Sequence, residues 1–164
     1  MHAPSVGEGL QAQPILARLR GEQPALQIAY TYYSPSARRF AAGLARDGLA
    51  DFADYLPFDT AAAAAAALDA LAPTALVFSK LDVWPTLVAR ASARGVPLGL
   101  LSATLAATSS RRGLLARALL HDAYARLDVV GAVSDEDAAR LIAIGVRATA
   151  ITVTGDTRFD QVWA

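Results

Sequence analysis

The sequence predicts an α/β protein: a doubly wound parallel sheet with helices on both faces. Short apolar, strand-like runs alternate with helical stretches along the whole chain, and strands joined by crossover helices form parallel sheets covered on both sides. The 164 residues are 54% hydrophobic and 18% charged, a length and composition that suit one domain with a substantial core. That hydrophobic fraction excludes a disordered chain, and the lack of cysteine excludes a disulfide scaffold. Fifteen basic and fifteen acidic residues give a net charge of zero, so the footprint of a nucleic-acid binder is missing.

The elements follow in order. Met1-His2-Ala3-Pro4 leads directly into folded structure, without a signal-peptide pattern, and reads as a strand already under way. Pro14 predicts a kink or a late start in the first helix. Leu26 to Thr31 reads as a strand, followed by a helix start at Ser34-Pro35-Ser36. Behind it Ala37, Phe40, Ala41, Leu44 and Ala45 form one apolar face, while Arg38, Arg39 and Arg46 point away. Asp47-Gly48 closes that helix. Phe52 to Leu56 is a short strand, and Thr60 caps an alanine helix running to about Leu71. Ala75 to Phe78 is a buried strand by its continuous apolar character. A helix from Trp84 to Ala93 stops at Arg94-Gly95, and Val96 to Leu101 is the next strand. Arg111 to Leu127 is helical, and Val129 to Val133 leads to Ser134, an N-cap with Asp137 three residues on. The helix behind it is expected to bury Ala138, Leu141 and Ile142 and to stop at Gly145. Ile151 to Val153 is the last strand. The long weakly polar stretch from Ala61 to Phe78 is interrupted by Asp69 and Pro73 and built on alanine, too poor in apolar surface to span a bilayer.

In such sheets ligands bind beyond the carboxyl ends of the strands. The first of these turns carries Gly7-Glu8-Gly9-Leu10-Gln11-Ala12, a formal match to the dinucleotide fingerprint. It is a decoy. No acidic residue lies between Glu22 and Asp47 to hold a ribose, and Glu8 sets a carboxylate where a pyrophosphate would approach. Glu8 has two readings: a capping box with Ser5, or a general base able to take a proton from an attacking hydroxyl. Gly7 and Gly9 would let a bulky substrate approach the backbone. Lys80-Leu81-Asp82-Val83-Trp84-Pro85 holds the only lysine of the chain, either as solvated loop charge or as an anion contact, with Pro85 suited to a first helical turn. Gly155-Asp156-Thr157-Arg158-Phe159-Asp160 reads as an Asx-type turn with an ion pair before it reads as catalytic. Arg111, Arg112 and Arg117 share a segment with Leu114, Leu115, Leu119 and Leu120, as a packed helix with a basic end or as a membrane-surface contact. His121 reads as a surface or hydrogen-bonded histidine. No metal-ligand spacing, Ser/His/Asp arrangement or phosphate-binding P-loop is present.

Six ordered motifs carry a resemblance. His2-Ala3-Pro4-Ser5-Val6-Gly7-Glu8 is similar to the H-A-x-S-V-G-E signature of bacterial 3-deoxy-D-manno-octulosonic acid (Kdo) transferases. Tyr33-Ser34-Pro35-Ser36 and Tyr55-Leu56-Pro57-Phe58-Asp59-Thr60 continue the agreement, and Lys80 to Pro85 resembles the family's acidic-x-Trp-Pro element. Ser134-Asp135-Glu136-Asp137-Ala138 is similar to its S-E-E-D-A helix start, and Gly155 to Asp160 to its closing G-[ND]-x-[KR]-F-D.

The resemblance implies a GT-B glycosyltransferase with two Rossmann-like domains, of which residues 1–164 would be the single N-terminal, acceptor-side one. The C-terminal donor-binding domain and an N-terminal membrane anchor are expected to be absent from this chain, which alone is expected to be inactive. The implied reaction moves Kdo from CMP-Kdo, a donor substrate held mainly by the other domain, to a lipid A precursor, with inversion and without a metal or other cofactor. Glu8 would be the base. His2, Ser5, Gly7, Gly9, Ser34, Ser36, Lys80, Asp82, Trp84, Ser102, Asp156 and Arg158 are the candidate cleft-lining residues. The implied partners are the lipid A precursor, the C-terminal domain and the inner-membrane surface, at its cytoplasmic face, with no nucleic acid. The fragment itself is expected to be soluble. Asp82 stands where Glu is usual, Lys80 where many members have a second acid, and Thr104 where Arg is common. The competing readings are a GT-B transferase with another sugar donor and a non-catalytic doubly wound binding module.

Overall fold

A computed structural model of the chain describes residues 1–109 and 113–159. Arg111, Arg112, Asp160, Trp163 and Ala164 lie outside the described residues. The chain divides into two compact units, Met1–Pro57 with the stretch from Asp156, and Phe58–Gly155.

The first unit contains α1 (Val6–Glu22), β1 (Ala29–Tyr32), α2 (Arg38–Arg46) and β2 (Phe52–Tyr55). β1 and β2 are parallel, with Tyr32 opposite Tyr55. On the other edge of β1, His2 makes one parallel bridge to Thr31. The Thr31 amide donates to the Met1 carbonyl at 2.9 Å, and the Ala3 amide donates to the Thr31 carbonyl at 3.0 Å. The expected opening strand is therefore a single bridge, because Pro4 cannot donate to a ladder and the chain turns into α1 at Val6. α1 starts at Val6 and runs through Pro14 as one helix, so the late start does not occur. Its buried side, with Gly9, Ala12 and Leu16, packs on a core that includes Ile28, Tyr30, Ala41 and Leu44. The Arg20 guanidinium donates to Asp51 at 2.8 Å, and the same carboxylate oxygen accepts the Ile28 amide at 2.7 Å. That contact fastens the end of α1 to the starts of β1 and β2, and the Arg20 hydrogen bond holds the Asp51 carboxyl below its usual range.

The second unit holds α3 (Ala61–Leu71), β3 (Leu76–Ser79), α4 (Pro85–Ala93), β4 (Leu98–Ala103), α5 (Leu114–Ala125), β5 (Val129–Ala132), α6 (Asp135–Ala143) and β6 (Ile151–Val153). The four strands are parallel in the order β3-β4-β5-β6. Thr60 caps α3 as expected, its hydroxyl accepting the Ala63 amide at 3.2 Å. Ser134 caps α6, accepting the Asp137 amide at 3.2 Å and donating to the Asp137 carboxylate at 3.1 Å. α6 buries Leu141, but Ile142 is exposed: one helical step, about 100°, turns it from the sheet to solvent. Tyr124 of α5 is buried and donates its hydroxyl to the Leu81 carbonyl at 3.0 Å, fixing the loop after β3.

Among the described residues no helix is long and apolar enough to cross a membrane.

Candidate functional site

In the first unit the candidate residues gather on the chain just beyond the His2 bridge and β1. Ser5 stands at the N-cap of α1 in extended conformation, yet its hydroxyl makes no hydrogen bond to a helix amide. It donates instead to the Glu8 carboxylate. The serine-to-amide bond of a capping box is thus absent, and the serine orients the acid instead. Gly7 is exposed and open, with Ser5 Oγ 3.8 Å from where a Cβ would sit.

Gly9 departs from expectation. A Cβ there would lie 2.5 Å from Phe40 Cε1 and 2.5 Å from the Tyr30 hydroxyl oxygen. The space above it is filled by protein, so this glycine serves helix–strand packing and not the approach of a ligand. His2 departs likewise. Its ring is wholly buried, with Nδ1 3.0 Å from Thr31 Oγ1, so it supports the turn from beneath and lines no open surface. Burial, reinforced by the neighbouring α-ammonium and opposed by hydrogen bonding to the Thr31 backbone, lowers its pKa to about 3, and the ring is neutral at pH 7. Tyr30 is buried against the same turn. Its phenol pKa is raised, first by burial and then by the charge of Glu8.

The segment after β1 is tied directly to the Glu8 turn: the Tyr33 and Ser34 amides donate to the Pro4 carbonyl at 3.1 Å and 2.7 Å. The Ser34 and Ser36 hydroxyls lie 2.8 Å apart. Beside them Tyr33 stacks on Tyr55, with ring centroids 5.5 Å apart and planes at 28°. Tyr32 meets Tyr55 edge-on at 6.1 Å and 77°. Neither Tyr33 nor Tyr55 was among the candidate residues, although each ends or follows a strand, where the parallel-sheet rule directs attention. In the closing motif, Asp156 accepts the Arg158 amide at 2.9 Å and its guanidinium at 2.7 Å and 2.5 Å. This is the Asx turn with its ion pair, and the arginine hydrogen bond depresses the Asp156 carboxyl.

In the second unit Lys80, Asp82 and Trp84 lie on the loop after β3, all half-buried. Lys80 has φ +66° and Ser102 φ +48°, in the left-handed region that disfavours residues with a Cβ. They sit at adjoining strand ends: the Lys80 amide donates to the Leu101 carbonyl at 2.7 Å. Ser102 falls where β4 carries one extra residue against β5, a bulge that twists the strand end. Ser102 is itself buried. Two carboxylates from the recognised motifs prove structural. Asp59 accepts the Thr86 and Leu87 amides, both at 2.8 Å, capping α4 because Trp84 at the N-cap offers no oxygen. Asp137 is buried and accepts the Leu105 amide at 2.7 Å and the Thr104 hydroxyl at 3.3 Å.

The parallel strands, the crossover helices and a carboxylate on the first strand-to-helix turn define a Rossmann-like α/β protein. A UDP-GlcNAc 2-epimerase from Neisseria meningitidis, solved bound to UDP-GlcNAc, has this fold, with a TM-score of 0.72 and 13% identity over 99% of this chain and 47% of its own. The model of the family 3-deoxy-D-manno-octulosonic-acid transferase (kdotransferase) matches residues 1–161. A 3-deoxy-D-manno-octulosonic acid transferase of Bordetella pertussis is 39% identical over 164 aligned positions, and one of Haemophilus influenzae 24% identical over 160. Each alignment takes in 98% of this chain and 37% of the relative. The chain belongs to the Kdo transferase family and spans little more than a third of the length of these relatives.

Proposed function

We propose that this chain forms the acceptor side of a GT-B enzyme that moves Kdo from CMP-Kdo to a lipid A precursor at the cytoplasmic face of the inner membrane. The observation that carries the reading is Glu8, in the first turn of α1 and oriented by the Ser5 hydroxyl. In the proposed step an acceptor hydroxyl attacks the anomeric carbon of Kdo. Its proton passes to Glu8 as the new C–O bond forms, and the bond to the CMP phosphate breaks on the opposite side, giving inversion. The leaving phosphate departs with its own negative charge, so the step calls for no metal ion or other cofactor. Gly7 is assigned to the open approach beside Glu8. Donor binding is assigned to the part of the transferase outside the matched stretch.

Glu8→Gln in the transferase is expected to lower kcat for Kdo transfer by about 10²- to 10⁴-fold while the melting temperature stays within a few degrees. Unchanged turnover would remove the base assignment. The same assay on the 164 residues alone is expected to give no transfer, and addition of EDTA no loss of rate in the whole enzyme.

A further inference from the structure

We propose that Tyr33 and Tyr55, with the Ser34–Ser36 hydroxyl pair, form a pyranose-binding platform beside Glu8, on which a sugar ring of the acceptor stacks. As an acceptor subsite this rests on the reading above; as a sugar-binding surface it rests on geometry within the first unit. β1–β2 pairing puts Tyr32 opposite Tyr55, so the aromatic residues of two separate motifs meet at the carboxyl end of the sheet, where parallel α/β folds bind ligands. Tyr55 is fixed from two sides, edge-on by the buried Tyr32 and face-on by Tyr33, yet remains 43% exposed. A rigid ring costs little conformational entropy when it meets a ligand.

The chemistry at this edge is mixed. The tyrosine rings offer apolar faces whose negative quadrupole attracts the weakly positive C–H groups of a pyranose. Their hydroxyls and those of Ser34 and Ser36, 2.8 Å apart, offer donors and acceptors for sugar hydroxyls. An acyl chain would use the rings and leave those hydroxyls without purpose, so the surface matches a sugar better than a lipid tail. The hydrogen bonds from the Tyr33 and Ser34 amides to the Pro4 carbonyl join the platform to the turn that carries Ser5 and Glu8, so a ring on the tyrosines lies on the same rim as the proposed base.

The test is an NMR titration of the chain with chitobiose, a neutral N-acetylglucosamine disaccharide, and separately with a short-chain phosphocholine below its micelle concentration. Chitobiose is expected to bind in the millimolar range and to shift the Tyr33 and Tyr55 ring signals. Tyr55→Ala should weaken it about 3- to 10-fold, and Tyr55→Phe, which keeps the ring, should recover most of that loss. In the transferase the Tyr55→Ala change should fall on the acceptor KM more than on kcat. Tyrosine signals that answer to phosphocholine and not to chitobiose, or an acceptor KM unmoved by Tyr55→Ala, would overturn the platform. Glu8→Gln separates the two proposals: it should leave the chitobiose titration intact while turnover collapses, and surviving turnover would count against the base and not against the platform.

Discussion

Two glycines flank Glu8, and their surroundings give them opposite fates on substitution. Gly9→Ala places a methyl group 2.5 Å from both the Tyr30 hydroxyl and a Phe40 ring carbon, a clash that forces ring or backbone to move at about 1–3 kcal/mol. Helix propensity returns up to about 1 kcal/mol of that. A net fall in melting temperature of a few degrees is expected, at about 2–4 °C per kcal/mol for a chain of this size. Gly7→Ala meets only Ser5 Oγ at 3.8 Å, and the same scan should show no loss. Equal melting points for the two variants would contradict the packing role of Gly9. The sequence shows two glycines around an acid and invites a single explanation for both. Their difference lies in Phe40 and Tyr30, which reach α1 only through the tertiary fold. Glu8 itself was legible, because its neighbours form a recognisable motif. The Tyr33–Tyr55 pair was not, because its two halves meet only once the β1–β2 register is known.

At the level of elements, strand identity was readable and strand ends were not. The apolar runs at residues 75–78 and 96–101 announce β3 and β4, but the bulge at Ser102 carries β4 to Ala103, beyond the expected end at Leu101. Local caps were equally readable: Thr60 and Ser134 act on amides three residues away. The cap of α4 was invisible, since Asp59 reaches it from 27 and 28 residues earlier in the chain. Pro85 at the start of α4 has no amide to satisfy and Trp84 no side-chain acceptor, so the next two amides depend on this one carboxylate, which also complements the helix dipole. Asp59→Ala is expected to cost about 1–2 kcal/mol and to speed hydrogen exchange at the Thr86 and Leu87 amides about tenfold or more. Asp59→Asn, which keeps one acceptor, should fall between. Undisturbed exchange at those two amides would show that the cap contributes nothing.

For the molecule as a whole, the balanced charge of the sequence hides an uneven dependence on pH. His2 is neutral in the fold, with a pKa near 3 against 6.5 for the free group. Its lowered value means that the unfolded chain binds a proton that the folded chain refuses. The stability that rests on this neutral ring is therefore present above about pH 6.5 and is lost as pH falls toward 3, with a slope approaching about 1.4 kcal/mol per pH unit. The buried α-ammonium of Met1, lowered from 8.0 to about 6, acts in the same direction but above pH 6. Asp51, Asp156 and Glu136, all depressed, contribute stability that is lost only as pH falls below their ordinary values of 3.8, 3.8 and 4.5. Between about pH 6 and 5 the slope thus belongs mainly to His2. Denaturant unfolding across that interval should show the decline in the natural chain, and His2→Gln should flatten it while leaving the loss below about pH 4 in place. A slope unchanged in His2→Gln would mean that the imidazole takes up its proton inside the fold. The buried, neutral ring beneath the Glu8 turn, and the supporting role that follows from it, would then have to be abandoned.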